Sequence, residues 1–468
     1  MEKTVSKPMK DPLIHIAKKD TITTGRLIGI KAIAFLLAFI VSSILLAISE
    51  GCDPFTFLIS LINGSFGTGL SIWMLLRDMA ILLGLGLALL PAFKMKFWNV
   101  GADGQALVAA LAAYMVLYFG HESMGDGALI ILSLLSALAA GVIWAVIPAI
   151  FKAFWNTNET LFTLMMNYIA IQLVAIFINK FATGGSNTLP NIYEGSLGMI
   201  YEYLTPVLIV AILTIGIAIY LKHTKHGFEL SLVGDSFNTA KYAGVNVKKV
   251  IIRTLVLSGL ICGLIGFILT NGLNHVVNTS TLGGRGFTAI IVVWLANFNP
   301  YFMILTTFMI VFLQRGSAEL LMELGVTNDS ITSIITSIFI FFIIGCTFFS
   351  RYNVIFRRNP EGKIDNKFLA FCEKIAIPVN KFFTVLYVNV TNFFKKIINK
   401  IAKKEKFEII DLKKNENEET NEASTVAVDS ASTSQVVEEP QVVEAEATED
   451  TKEAIVEENK ENENKEGE

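Results

Sequence analysis

The sequence has little charge and few of the residues that usually do chemistry. Only 17% of its 468 residues are Asp, Glu, Lys or Arg, and it holds five histidines and four cysteines. Cys52, Cys262, Cys346 and Cys372 show neither CxxC nor metal-ligand spacing, which excludes a disulfide framework and leaves them as small apolar fillers. His223 and His226 stand in a lysine-rich stretch without a cysteine or carboxylate cluster, so they read as solvated loop residues rather than ligands. There is no GxxxxGK[ST] phosphate loop, no HExxH and no GxSxG elbow. The chain therefore carries no engine of its own: no catalytic residue, metal or cofactor is expected in it, and no nucleic-acid partner.

Apolar residues are what it has: 53% of the chain is hydrophobic and the mean hydropathy is +0.56, too apolar for one water-soluble core. An apolar helix of about 18 or more residues crosses the ~30 Å of bilayer hydrocarbon. Apolar stretches run Leu27–Ile48, Ile72–Phe93, Gln105–Phe119, Ala128–Phe151, Leu161–Ile178, Pro206–Leu221, Ile251–Leu269, Phe287–Phe298, Tyr301–Leu313 and Ile331–Phe349. Phe287–Phe298 and Tyr301–Leu313 are too short to cross alone and are expected as half-helices around the Asn297–Pro300 turn. The expected fold is an all-α polytopic membrane protein of eight to ten transmembrane helices.

The first run lacks a cleavage site before Glu50 and is expected to stay in the mature protein. Orientation follows from Lys and Arg, which accumulate in cytoplasmic loops. With the N-terminus inside, fifteen of them fall inside before the last span, and only Lys180, Arg285 and Arg315 fall outside. Both termini are thus expected in the cytoplasm of a cell whose plasma membrane holds the chain.

Residues 1–26 form a basic leader, 27–350 the membrane domain, 351–414 a basic amphipathic segment for the membrane surface or the protein's own face, and 415–468 a tail. That tail carries eighteen acidic residues against three lysines and no aromatics, so it is expected to be disordered. The net charge of −3 hides this: the rest of the chain is basic by about +12. Within the membrane domain, 222–250 is the longest inner loop.

Polar residues interrupt the apolar text at a few places. The stretch FWNVGADGQALVAALAAY, Phe97–Tyr114, joins two apolar runs through Asn99, Gly101, Asp103, Gly104 and Gln105. A broken helix at membrane depth leaves backbone groups that must be buried in protein or line a water-filled cavity. Two readings stand: a border of a solute path, or an inner-side turn flanked by Lys94 and Lys96 with Asp103 and Gln105 capping the next helix. Asn167 and Gln172 sit in an apolar span, as interhelical glue or facing a cavity. Arg77 and Asp78 are charged inside a span, and as sequence neighbours are not expected to face each other. Asn271, Asn274 and His275 follow a span as vestibule or ordinary loop. In the long loop, Gly234–Gly244 is a short amphipathic stretch with Ala240 and Gly244 four apart, expected on one helical face. A Gly101/Gly104 break and a Gly283–Gly286 cluster hint at corresponding places in two halves.

Several motifs in order give a resemblance. Asn99-Val100-Gly101-Ala102-Asp103-Gly104-Gln105 resembles an N-[IV]-G-A-E-G-Q signature with Asp for Glu, and Glu159–Tyr168 resembles E-[VIT]-x-x-T-L-M-x-N-Y. Gly234–Val247 resembles G-x-N-P-x-A-A-x-Y-A-G-[IV]-[ND]-V, with Ser236-Phe237 in place of Asn-Pro, and Gly283–Pro300 matches as well. Together these resemble the permease subunits of bacterial ABC importers for nucleosides and simple sugars, in the wider group of ribose and branched-chain amino-acid permeases. The likeness covers roughly Leu27–Arg351.

The resemblance implies two permease subunits, identical or homologous, enclosing a pathway. It implies a cytoplasmic ABC ATPase, holding ATP and Mg, that grips Gly234, Asp235, Ala240, Tyr242, Ala243 and Gly244 as a coupling loop, and an extracellular lipoprotein that delivers solute. Asn99, Gly101, Asp103, Gly104, Gln105 and Asn167 are then expected along the route of a nucleoside, or of a sugar such as ribose. The alternatives are a secondary transporter driven by an ion gradient through Arg77, Asp78 and Asp103, and a membrane scaffold recruiting partners through its tail.

Overall fold

In hydrocarbon no water satisfies backbone N–H and C=O groups, so long apolar runs close their hydrogen bonds internally as helices. The computed structural model describes residues 14–18, 24–182, 189–198, 203–326 and 330–356, with side chains between 34 and 345. They belong to one unit ending at Glu361; a second unit, Gly362–Glu468, lies outside the described residues, as do most of the expected 351–414 segment and all of the acidic tail.

The helices are α1 (Thr24–Glu50), α2 (Pro54–Phe66), α3 (Gly69–Lys94), α4 (Ala102–Gly120), α5 (Asp126–Trp155), α6 (Glu159–Phe181) and α7 (Leu204–His223). Then come α8 (Lys225–Asp235), α9 (Phe237–Tyr242), α10 (Val247–Phe267), α11 (Arg285–Leu295), α12 (Pro300–Glu323) and α13 (Ser330–Arg351). Their starts are written locally. Asp53, Thr68, Asn158, Asn246 and Asn299 each accept a backbone N–H of the first turn, and Pro54 and Pro300 open α2 and α12, where no N–H is needed.

Among the described residues seven helices are long and apolar enough to cross a bilayer: α3, α4, α5, α6, α7, α10 with its extension to Asn274, and α12. The bent pair Ala34–Glu50 and Pro54–Phe66, turning through 108°, raises the number to eight. The chain is thus an all-α polytopic membrane protein, with three corrections to the expected spans. Tyr301–Leu313 is not a half-helix but the first half of the 24-residue α12, because the apolar stripe continues past Gln314 and Arg315, and the Arg315 guanidinium is held by Asp78 of α3. Pro54–Phe66, left unassigned between the runs Leu27–Ile48 and Ile72–Phe93, is an apolar half-helix. Phe287–Phe298 is shorter than expected, the 11-residue α11.

The only described strands, β1 (Ile14–Lys18) and β2 (Tyr352–Phe356), pair antiparallel with Ile14 opposite Phe356. This small ribbon was not foreseen in the leader. Because β1 precedes α1 and β2 directly follows α13, the pairing brings the two ends of the helical block together.

Small residues set the packing. Lipid tails are as apolar as Leu, so membrane helices associate by close backbone approach rather than by the hydrophobic effect. Gly259 and Gly263 of α10, four apart, meet Gly141 and Ala137 of α5: a Cβ on Gly259 would lie 2.5 Å from the Gly141 carbonyl oxygen. Gly316 of α12 meets the backbone of Leu61 in α2 in the same way. Opposite faces carry exposed Ile131, Ile143, Ile212 and Leu305, as lipid-facing surfaces do.

At its far end α10 widens into a π-helical turn, Ile268–Asn274. Asn271 there is buried and donates to Ser133 Oγ at 2.9 Å and the Gly195 carbonyl at 3.0 Å, so it belongs to the helix and is neither vestibule nor loop.

Candidate functional site

The junction between α3 and α4 is where polar groups concentrate. The first N–H groups of any helix lack intrahelical acceptors, and here other elements supply them. Asn99 Oδ1 accepts from the Gly101 N–H at 3.0 Å and from Gln105 Nε2 at 3.3 Å, while its Nδ2 donates to Ser258 Oγ of α10 at 3.2 Å. Ser258 Oγ in turn donates to Gln105 Oε1 at 3.4 Å. Asn167 of α6 spans the gap: its Oδ1 accepts the Gly104 N–H at 2.8 Å and its Nδ2 donates to the Val100 carbonyl at 2.9 Å. The Val100 N–H donates to Thr163 Oγ1 at 3.1 Å.

Asn99, Gln105, Asn167 and Ser258 are all buried. The capping role expected of Asp103 and Gln105 within their own helix is not what they do. Gly101 is the N-cap and has no side chain to offer, and both polar side chains reach across to other elements. The glycines serve close approach, not backbone freedom: a Cβ on Gly104 would lie 2.7 Å from Asn167 Oδ1. Gln172, by contrast, is exposed.

Asp103 accepts the backbone N–H of Gly286, in the first turn of α11, at 2.8 Å. One carboxylate thus stands between two helix N-termini, its own and that of α11, each of which presents partial positive charge. That is the physical reason for an acidic side chain at this point of the motif.

Asp78 of α3 is gripped by three arginines. Arg77 Nη2 lies 3.1 Å from Oδ1, Arg315 Nε 2.8 Å from Oδ2 and Arg285 Nη2 3.8 Å from Oδ1. Arg77 also covers the Tyr203 ring at 4.9 Å. Arg77 and Asp78 do face each other after all, since a long Arg side chain can fold back along the helix. Arg285 and Arg315, expected in outer loops, belong to α11 and α12 and converge on this carboxylate.

On the opposite side from Gly69, the end of α3 meets the long loop. Gly234 of α8 packs so closely that an added Cβ would lie 2.2 Å from the Lys94 carbonyl oxygen. Ser236 caps α9 by accepting the Thr239 N–H at 3.3 Å, so Ser-Phe in place of Asn-Pro still starts that helix. Ala240 is buried, and Tyr242 is 92% exposed at the tip. Gly244 does not share a helical face with Ala240. Helix α9 stops at Tyr242, Ala243 is its C-cap, and Gly244 turns left-handed at φ +77°. The Val245 N–H donates to the Ala240 carbonyl at 3.0 Å and Gly244 N–H to that of Lys241 at 3.1 Å, the paired bonds of a Schellman turn. His226, expected in solvent, is half-buried against the Tyr220 hydroxyl, and burial holds its imidazole below the ordinary pKa.

Between this loop and the membrane helices opens a cavity of about 950 Å³, lined by Lys94, Lys96, Trp98, Trp294, Asn297 and Tyr301 among others. Its wall is aromatic: Trp98 packs between Phe93 at 5.5 Å and Trp294 at 5.3 Å, its ring tilted by 50° and 47° to theirs. Among the described residues no cluster of His, Cys, Asp and Glu could hold a metal ion. The aromatic wall escaped the sequence reading because its members are spread over two distant segments; a pair of interface-level tryptophans flanking the junction was the available signal.

A multi-pass bundle with half-helices, buried amides at a helix break and a protruding loop defines a membrane permease. The chain belongs to the family described as branched-chain amino acid transport system / permease component, which it matches over residues 69–346. It is 31% identical over 293 residues to the guanosine ABC transporter permease protein NupP of Bacillus subtilis, covering 60% of this chain and 82% of that one. It is 27% identical to the glucose ABC transporter permease protein TsgB13 of Haloferax volcanii (60% and 77% covered) and 25% identical to the nucleoside ABC transporter permease protein NupB of Lactococcus lactis (68% and 91%). The ion-gradient alternative is not favoured: this family consists of transport-system permeases, and its two candidate carboxylates are tied up by arginines and by a backbone N–H.

Proposed function

We propose that this permease is the membrane path of an ATP-driven nucleoside importer. ATP and Mg act in a separate cytoplasmic ATPase, and the chain itself catalyses no reaction. The ATPase takes hold of the α8–α9 loop at Asp235, Tyr242, Ala243 and Gly244, with Ala240 anchoring α9 from behind. The observation that carries this reading is the contact of Gly234 with the Lys94 backbone. Through it a push on the exposed Tyr242 tip reaches the end of α3, and from there the junction at Asn99, Gly101, Asp103, Gly104, Gln105 and Asn167, along which we place the solute route. These side chains form the fixed framework of the route, and the aromatic wall of the large cavity lies at its loop-side mouth.

The loop faces the cytoplasm, since Lys94, Lys96, Lys222, Lys225, Lys241, Lys248 and Lys249 gather there. The pairing of β1 with β2, which joins the two ends of the helical block, supports placing both of them on that side. A second permease subunit completes the path, and an extracellular solute-binding lipoprotein feeds it. Nucleosides come first because the relatives NupP and NupB bear guanosine and nucleoside names, and an aromatic wall suits a flat base. The name of TsgB13 keeps a sugar as the second reading.

Radiolabelled nucleoside and glucose uptake in proteoliposomes, with and without the ATPase, tests it. ATP-dependent accumulation of nucleoside is expected. Uphill uptake by the chain alone overturns the reading, and uptake of glucose only would transfer the assignment to sugars.

A further inference from the structure

The arginine cluster has charge left over. Three guanidinium groups lie within 4 Å of the single carboxylate of Asp78, with side chains only 24–38% exposed. The other nearby acid, Asp103, is engaged by the Gly286 N–H. Glu319, one turn along α12 from Arg315, forms no ion pair among the described residues. Arg77 is further held over the Tyr203 ring, and Arg315 directs Nη1 toward the Met74 sulfur at 3.5 Å. Arg285 is the least satisfied: apart from its 3.8 Å approach to Asp78, its side chain makes no hydrogen bond among the described residues.

This happens at depth. Asp78 is nine residues from the start of α3, about 13 Å along the helix, and Arg285 opens α11 beside the buried junction. Uncompensated charge there is costly unless it is hydrated or paired. A cavity of about 320 Å³ opens over the cluster, with Thr288 and Gln314 adding polar groups to its wall. A water molecule takes about 30 Å³, so there is room for a hydrated oxyanion. Guanidinium forks match phosphate and carboxylate oxygens two at a time.

We propose that Arg77, Arg285 and Arg315, with Thr288 and Gln314, form a binding site for a phosphate or carboxylate group at membrane depth, outside the Asn99–Gln105 junction. The group comes either from an anionic solute or from an anionic lipid headgroup.

The test is titration of the full-length chain, in nanodiscs of phosphatidylcholine, with inorganic phosphate followed by calorimetry. Saturable binding is expected, weakened about tenfold or more by Arg285→Gln, which removes charge and fork, and partly restored by Arg285→Lys. Lys180→Gln, at the end of α6 and outside both cavities, leaves it unchanged. If phosphatidylglycerol in the disc competes with phosphate and co-purifies with the wild type but not with Arg285→Gln, the headgroup is the source. If the lipid has no effect and a nucleoside monophosphate competes where the free nucleoside does not, the solute is. Absence of saturable phosphate binding to the wild-type chain, or equal binding by Arg285→Gln, overturns the proposal.

Discussion

The carboxylate of Asp103 and the backbone N–H of Gly286 meet at 2.8 Å, joining the first turns of α4 and α11 across 183 positions of sequence. The contact is possible only because residue 286 has no side chain. A Cβ there would lie 2.7 Å from the Asp103 backbone nitrogen, a group that cannot swing aside. Gly286→Ala should therefore force the two helix starts apart at a cost of about 1–3 kcal/mol. Thermal unfolding of the purified chain should fall accordingly, whereas Asp103→Asn, which keeps the acceptor oxygen, should fall less. Equal stability of Gly286→Ala and wild type would mean the two starts are not coupled.

Asn167 satisfies two backbone groups of another segment at once, the Gly104 N–H and the Val100 carbonyl. Replacing it by Leu leaves both unpaired, at about 1–3 kcal/mol for the buried Gly104 N–H and less for the half-buried Val100 carbonyl. Asn167→Leu should lower the unfolding midpoint and increase hydrogen exchange at Val100–Gln105. Exchange as slow as in the wild type would show that another partner takes over.

At Gly244 the backbone is left-handed, φ +77°, where an L side chain costs about 1–2 kcal/mol. No atom would crowd a Cβ at this position, so the penalty is conformational alone. Gly244→Val should loosen α9 and weaken ATPase capture in pull-down while the membrane helices melt as before. Gly244→Asn, which tolerates this conformation, should keep most of the binding. Full ATPase capture by Gly244→Val would detach the turn from docking.

His226 supplies a pH dependence. Burial lowers its pKa below the ordinary value, with Glu229 opposing and Arg253 reinforcing the shift. The unfolded loop therefore binds the proton more readily than the folded one. Stability from this group is present above the unfolded pKa of about 6.5 and declines as pH falls from there toward the lower folded value. Hydrogen exchange across α8 should rise on acidification through that window, and His226→Phe should flatten the response. A loop whose protection is insensitive to pH in the wild type would remove histidine from the account.

The sequence reading anticipated the bundle and its polar junction, because hydrocarbon permits only one backbone solution to a long apolar run and makes every amide inside it conspicuous. It also found Asn167, though not that its partners are Gly104 and Val100. It misjudged Arg285 and Arg315: loop lengths counted along the chain put them in outer loops, yet α12 keeps its helix through Arg315 because Asp78 receives the charge. The GxxxG pair Gly259 and Gly263 was in plain view and passed over, being apolar text within an apolar span.

What the amino-acid order determined alone is which stretches enter the membrane, where Asn, Thr and Asp caps and prolines start the helices, and where Gly244 turns the loop. These are set by transfer energies and by backbone preferences acting within a few residues. Only tertiary structure decided that Asp103 closes on Gly286, that three arginines from three helices share Asp78, and that α8 rests on the end of α3. Asp103 and Gly286, Asp78 and the arginines of α11 and α12, and α8 and the end of α3 are far apart in sequence, and the packing that joins them also lowers the dielectric around them, which strengthens each polar contact.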